Sequence, residues 1–327
     1  MPKKVSNKKN TKQTKRRKPK ATKKKTKQDI DSQLEKFLNG DKSLSNLYIK
    51  NYNLGKMIVK SLAKSLAKNL GNNNKLTVLS LGENKIGDEG AKYLFEALQT
   101  NQVLKHLYIS KTNIGDKGAK ALAKALQKNQ SIIEIEIHEN NIGVEGTNAI
   151  AEALRKNKTL TVLDLSKNKI GNEGAIHLSN ALKENNTLKH LYIYSNKIGY
   201  HGVKNLANAL KENQNLKTVD LGDNNIGNNS IKVLADALKK NQSLTYLCLS
   251  NNNIENNSIK VLAEALKENQ TLKTIDLDDN NIGDDGGRSL LESMQKNKTL
   301  TDLFLNDNPI SESLKNSIEA KVRTNKS

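Results

Sequence analysis

From Leu160 to Thr187 the chain reads LTVLDLSKNKIGNEGAIHLSNALKENNT, and its apolar positions change period half-way along. LTVLDL alternates apolar and polar residues, which predicts a short strand with Leu163 and Leu165 on one side. GNEGAIHLSNALKEN places Ala175, Leu178, Ala181 and Leu182 at helical spacing, so one stripe of a helix faces inward. Asn168 stands where the chain leaves the strand, and its amide can both donate and accept for backbone groups that a buried turn leaves over. Gly171 suits a turn at positive φ, and Gly174 lets the helix start lie close to its neighbour.

The pattern returns every 28 residues: Leu160 has counterparts at Leu76, Leu104, Ile132, Leu188, Leu216, Leu244, Leu272 and Leu300. A fixed period of this length is the signature of a solenoid. A single unit leaves apolar surface open on both flanks, so the core closes only when units stack.

Written as LxxLxLxxNxIGxxGxxxLxxALxxNxx, these residues resemble the leucine-rich repeats of the ribonuclease-inhibitor-like subclass, similar to those of NOD-like receptors and the Ran GTPase-activating protein. The resemblance covers about residues 44 to 325. It implies an α/β fold, a curved solenoid or horseshoe with a parallel sheet on the concave side and helices on the convex side. It also implies an interaction scaffold. Because the family shares a scaffold and differs in its partners, the resemblance names no partner.

The two ends depart from the repeat. Residues 1–28 hold 14 Lys or Arg and no acid, so this segment is expected to be a disordered tail. Its cluster Lys15, Arg16, Arg17, Lys18 and Lys20 reads as a nuclear address, an anion-binding arm or a solubilising arm. The corresponding partners are a nuclear import receptor or nucleic acid. Residues 29–43 are expected to form a capping helix, with Ile30, Leu34, Phe37 and Leu38 on one stripe, a Ser32/Glu35 capping box and a stop at Gly40. The solenoid then spans residues 44–327 in about ten repeats. Its first repeat replaces the turn Asn by Tyr52 and lengthens the helix by four residues. Its last, with Leu314, Ile318 and Val322, serves as the C-terminal cap, and Lys321 to Ser327 should fray. Glu255, Ser230 and Ser258 replace turn glycines, which predicts altered turns between Leu216 and Thr271. The N-x-S/T sequons, such as those at Asn129, Asn157 and Asn241, read as repeated turn chemistry and not as glycosylation sites.

Charge changes the picture on one face. The whole chain carries +20, of which the tail supplies +14. The strand residues that alternate with the core leucines face the hollow, at offsets two, four, six and seven of each repeat. There, twelve acids oppose Lys50, Lys111 and Lys167, so the lining is about −9 in a body of +6. Tyrosines and histidines gather in the same columns, and exposed tyrosine is a common interface anchor. The candidate partner-binding residues are Tyr108, Glu136, His138, Asp164, Tyr192, Tyr194, Asp220, Tyr246, Asp276 and Phe304. They suit a protein partner with a basic surface.

The remaining composition mostly excludes. Cys248, the single cysteine, rules out a disulfide framework and a cysteine-based zinc site, and it fits a reducing compartment. No apolar run approaches the roughly 18 residues of a membrane span, and no secretory signal is evident. The expected setting is intracellular, cytoplasmic or nuclear and not secreted, for a monomer. No nucleophile elbow, phosphate-cradling loop or metal-spaced histidine pair occurs, so neither catalysis, cofactor nor metal is expected. The alternative from the resemblance is GTPase activation or regulation. Against it, two of the five arginines, Arg16 and Arg17, lie in the tail, and Arg155, Arg288 and Arg323 map to helices or the terminus.

Overall fold

The computed structural model describes residues 27–39, 43–52, 58–62, 64 and 75–326. Helix α1 (Lys27–Leu38) comes first. Ten strands follow: β1 (Asn46–Tyr48), β2 (Val78–Ser80), β3 (His106–Tyr108), β4 (Glu134–Glu136), β5 (Val162–Asp164), β6 (His190–Tyr192), β7 (Thr218–Asp220), β8 (Tyr246–Cys248), β9 (Thr274–Asp276) and β10 (Asp302–Phe304). Each strand from β2 on is followed by a helix: α2 (Gly87–Leu98), α3 (Asp116–Lys128), α4 (Val144–Lys156), α5 (Gly171–Glu184), α6 (Tyr200–Glu212), α7 (Asn228–Lys240), α8 (Asn256–Glu268), α9 (Asp284–Lys296) and α10 (Glu312–Arg323). The strands form one parallel sheet in sequence order, β1 to β10, which does not close on itself. The result is a curved α/β solenoid with the sheet on its concave side.

The register follows the sequence period. Leu163 lies beside Ile135 and Leu191, each 28 residues away, whereas Asn46 pairs with Val78 across 32, the four extra residues of the first repeat. Leu163, Leu165, Ile170, Leu178, Ala181 and Leu182 are buried, and their counterparts join them in one continuous core.

Ladders of polar side chains tie repeat to repeat. Asn168 Nδ2 donates to Leu165 O (2.9 Å) in its own turn and to Ile137 O (3.2 Å) one repeat back, while its Oδ1 accepts from Ile142 N (3.0 Å). Thr112, the exception in this column from β2 on, keeps the bond to its own turn through Oγ1 (2.6 Å to Ile109 O). A second ladder runs along the helix ends. Asn157 Nδ2 donates to Leu126 O (2.8 Å), and Asn241 Nδ2 donates to Leu210 O (2.7 Å). The sequon amides at Asn129, Asn157 and Asn241 are therefore buried and engaged in turns. A third ladder caps helices from the preceding repeat: Asp116 Oδ1 accepts from Gly143 N (2.7 Å) and Gly146 N (2.9 Å), placing a carboxylate at the positive end of α4. A Cβ on Gly146 would lie 2.6 Å from that oxygen, which is why the position is glycine.

Local expectations change in part. Helix α1 begins at Lys27, so Ser32 and Glu35 lie inside it and form no capping box. Glu255 (φ −113°, ψ 168°) adopts the extended backbone that Gly143 (φ −101°, ψ −158°) adopts, and Ser258 Oγ bonds Asn228 Oδ1 at 2.8 Å. The repeats from Leu216 to Thr271 keep the usual backbone there but alter its hydrogen bonding: Ser230 N donates to Gly227 O (2.9 Å) and Ser258 N to Glu255 O (3.1 Å), where Gly146 N and Gly202 N donate to a side chain of the preceding repeat. Only Gly87 and Gly171 of the turn column use positive φ (65° and 60°). The C-terminus does not fray from Lys321. Helix α10 runs to Arg323, and Asn325 Nδ2 donates to Leu300 O (2.9 Å) and Asn297 O (3.2 Å), continuing the second ladder. At the two ends, Phe37 of α1 and Ile318 and Val322 of α10 are buried in the core. Residues 1–26, Gly40 and most of the first repeat's long helix lie outside the described residues.

Candidate functional site

The concave face is built from strand residues whose alternation buries one set and presents the other. Parallel register places the offset-four residues side by side: Tyr108, Glu136, Asp164, Tyr192, Asp220, Cys248, Asp276 and Phe304 are successive neighbours from β3 to β10. Seven of the ten candidate residues thus share one column. His138 and Tyr194 stand two positions further along their chains and Tyr246 two positions before. Among the candidates, Asp164 (1% exposed) and Asp276 (8%) are sunk into the face, while the other eight are partly exposed. The basic cluster at Lys15, Arg16, Arg17, Lys18 and Lys20 lies outside the described residues.

Over β1 to β5 the charges are paired. Glu83 has Lys50 at 3.3 Å and Lys111 at 3.9 Å, and Glu139 has Lys111 at 3.2 Å and Lys167 at 3.3 Å, so signs alternate from strand to strand. Burial alone would raise the Glu139 pKa, but the two lysines outweigh it and hold that carboxyl below its usual range. Glu134 receives His106 Nδ1 (2.7 Å) and the Tyr108 hydroxyl (3.2 Å). Burial, then Glu134 and Glu136, push the Tyr108 phenol well up. A shallow hollow of about 290 Å³ lies among Tyr48, Tyr108, Glu136 and His138.

His138 is the one place where acid–base or metal chemistry comes into view. Its Nδ1 lies 2.8 Å from Ser110 Oγ and 3.1 Å from Asp164 Oδ2. Both partners approach the same ring nitrogen, whereas in a Ser-His-Asp triad one ring nitrogen takes the hydroxyl proton while the carboxylate holds the other. Glu136, His138 and Asp164 bring ligand atoms within 4.8 Å of one another, and one imidazole with two carboxylates is a donor set for a divalent cation. Here Asp164 is already engaged by His138 and by Ser166 N (2.9 Å).

Over β6 to β10 the balance is different. None of the twenty lining residues is Lys or Arg, and seven are Asp. Asp223, Asp276, Asp278, Asp279 and Asp307 have no cationic nitrogen within 4.0 Å among the described residues. Asp223 and Asp278 are held by neutral donors instead, Asn251 Nδ2 (2.8 Å) and Asn306 N (2.7 Å). Burial, reinforced by Asp278 and Asp220, pushes Asp276 up to about 6, and burial also raises Asp278. Burial and Asp223 push Tyr194 up to about 12.

The repeats have a counterpart among known proteins. Residues 72–95, 100–123, 156–179, 184–207, 212–235, 240–263 and 268–291, half of the chain, match the family described as "Leucine Rich repeat". The chain belongs to the leucine-rich repeat family. No curated protein matches it. Among solved structures it is similar to leiomodin-1 actin-binding site 2 (24% identity, TM-score 0.38, 56% of this chain and 88% of that one). It is also similar to the tropomodulin C-terminal domain of Caenorhabditis elegans (21%, TM-score 0.40, 48% and 92%). A third is an internalin of Listeria monocytogenes (18%, TM-score 0.44, 88% and 87%). Among the described residues no helix is long and apolar enough to cross a membrane.

Two features of this leucine-rich repeat face escaped the sequence reading. Cys248 lies between Asp220 and Asp276 in the central column, almost fully buried, with Sγ 3.2 Å from Ser250 Oγ. Burial and then those two carboxylates push its thiol well up, so it stays a protonated, unreactive part of the floor. Its offset of four from Leu244 was the available signal. The alternating lysine–glutamate ladder was the second, visible only when position seven is compared across repeats.

Proposed function

We propose that this protein is a non-catalytic interaction scaffold that holds a basic protein surface against the tyrosines and carboxylates of its concave face. The observation that carries the reading is the central column from Tyr108 to Phe304. A constant apolar core supports a row of side chains that differ from strand to strand and mix half-exposed aromatics with acids. Such a row spends the repeat's variability on the solvent side, where packing does not demand it. Tyrosine supplies a rigid, amphipathic contact area, and acids steer a basic partner toward it. The arginines of the described residues lie elsewhere: Arg155, Arg288 and Arg323 are ion-paired with Glu184, Asp285 and Glu319 on the helices. A role in stimulating a GTPase through a supplied arginine therefore finds no support in them.

Affinity capture from the native cell with the full chain tests the reading. A partner held by the wild type should be lost with Tyr192→Ala and Tyr246→Ala and retained with the helix variants Lys124→Glu and Lys239→Glu. Loss with the helix variants alone would place binding on the convex side and overturn it.

A further inference from the structure

We infer that the sheet face over β6 to β10 is the docking surface for a lysine- and arginine-rich segment, and that the chain's own N-terminal residues 1–26 are its occupant. The inference rests on the reading of the concave face as a binding surface and goes beyond it in naming the half and the segment.

Charge complementarity is the first argument. Residues 1–26 carry 13 Lys or Arg and no Asp or Glu. The lining over β6 to β10 carries seven Asp and no Lys or Arg, whereas two of the five acids over β1 to β5, Glu83 and Glu139, are ion-paired with three lysines, Lys50, Lys111 and Lys167. The first half thus offsets part of its own negative charge. Asp223, Asp279 and Asp307 occupy the column that in the first half holds Glu83, Lys111, Glu139 and Lys167, so the alternation stops where the cations stop.

Reach is the second. The described chain begins at Lys27, in the helix that precedes β1. At about 4.8 Å per strand, β6 lies roughly 24 Å and β10 roughly 43 Å from β1 along the sheet. Twenty-six extended residues span roughly 90 Å, so the segment can lie along all five strands. Tethering keeps its effective concentration at the face high without any tight individual contact.

A third observation concerns what the face offers besides charge. Tyr192, Tyr194, Tyr246 and Phe304 are partly exposed between the carboxylates. Lysine stems can lie along the rings while their ammonium groups reach the acids. A partner with a basic surface then competes with the tail for one site.

A nitroxide on Thr14→Cys in the otherwise intact, isotope-enriched chain tests this, since Cys248 is buried and its thiol protonated. At low salt the backbone amides of β6 to β10 should lose most of their intensity, while those of β1 to β5 and of the convex helices keep theirs. The loss should vanish at about 1 M salt, where the screening length is about 3 Å. It should also vanish in Asp279→Asn/Asp302→Asn/Asp307→Asn. Asn tolerates the left-handed backbone of Asp279 and Asp307 (φ 54° each), so that variant keeps the fold. Undiminished intensity over β6 to β10, or equal loss over both halves, overturns the inference. The same loss in a mixture of labelled unenriched and unlabelled enriched chains would assign the contact to a second copy and overturn the tethered arrangement. Partner binding by the face is read separately, through the tyrosine variants.

Discussion

The two halves of the concave face share one backbone and one core but answer the same electrostatic problem differently. At position seven every repeat turns through a left-handed residue, with φ between 49° and 59° from Glu83 to Asp307. Over β1 to β5 that position holds Glu83, Lys111, Glu139 and Lys167 in alternation, each within ion-pair distance of an opposite charge. Lys and Glu adopt this backbone at a cost of roughly 1 kcal/mol each, which the ion pairs only partly offset. Over β6 to β10 the position holds Ser195, Asp223, Asn251, Asp279 and Asp307, types that mostly take the conformation more easily but leave negative charge uncompensated. The first half offsets part of its charge with lysines, and the second has none on its lining. A uniform scaffold can thus carry two different charge patterns without any change of fold.

The largest expected effect should fail to distinguish the halves. Leu165→Asp, behind β5, and Leu221→Asp, behind β7, each put an unpaired charge into the continuous core and should cost at least about 4 kcal/mol in denaturant unfolding. A large difference between them would show that the halves differ in their cores and not only on their surfaces. Binding should separate them. Tyr192→Ala and Tyr246→Ala should each weaken a captured partner by about 1–3 kcal/mol, chiefly through faster dissociation in surface plasmon resonance. Tyr108→Ala should do less, because it lies in the half where lysines offset part of the negative charge.

Stability against pH should separate them in a smaller way. Asp276 titrates near 6 in the fold against about 3.8 ordinarily, so the folded state binds the extra proton between those values. Its contribution is therefore most favourable below pH 4 and is lost as pH rises through 6. Asp276→Asn keeps an acceptor for Asp278 N, removes the charge, and should raise stability at pH 7 by about 1–2 kcal/mol, less at pH 4. Equal gains at both pH values in thermal unfolding would refute the assigned cause. The smallest effect belongs to Lys111→Asn, which loses two exposed ion pairs and relieves a left-handed lysine. Its net change should stay within about 0.5 kcal/mol, while Glu139 titrates higher.

Much of this was legible along the chain. Leu163, Leu165, Leu178 and Leu182 announced their inward faces by period alone, and Asn168 announced its turn by chemistry. What period could not show was each residue's lateral neighbour, 28 positions away. Asp164 reads as an exposed strand acid, yet with His138 at 3.1 Å and Glu136 and Tyr192 beside it on the flanking strands it is 1% exposed. Asp116 reads as a helix-start acid of its own repeat, yet its oxygen caps the next helix at Gly143. Glu255 looked like a defect because glycine is common in its column, but an extended backbone accepts any side chain. Local residue types set conformation; the pairing of charges depended on stacking.

The central claim is the electrostatic difference between the halves, and side-chain carboxyl NMR of the full chain measures it most directly. In high salt, with the tail lifted off, Asp276 should titrate near pH 6 and Asp278 above its ordinary range, while Glu139 titrates below its own. If Asp276 and Glu139 both titrate at ordinary values, the halves are electrostatically alike, and nothing in the face directs a basic segment to β6 to β10.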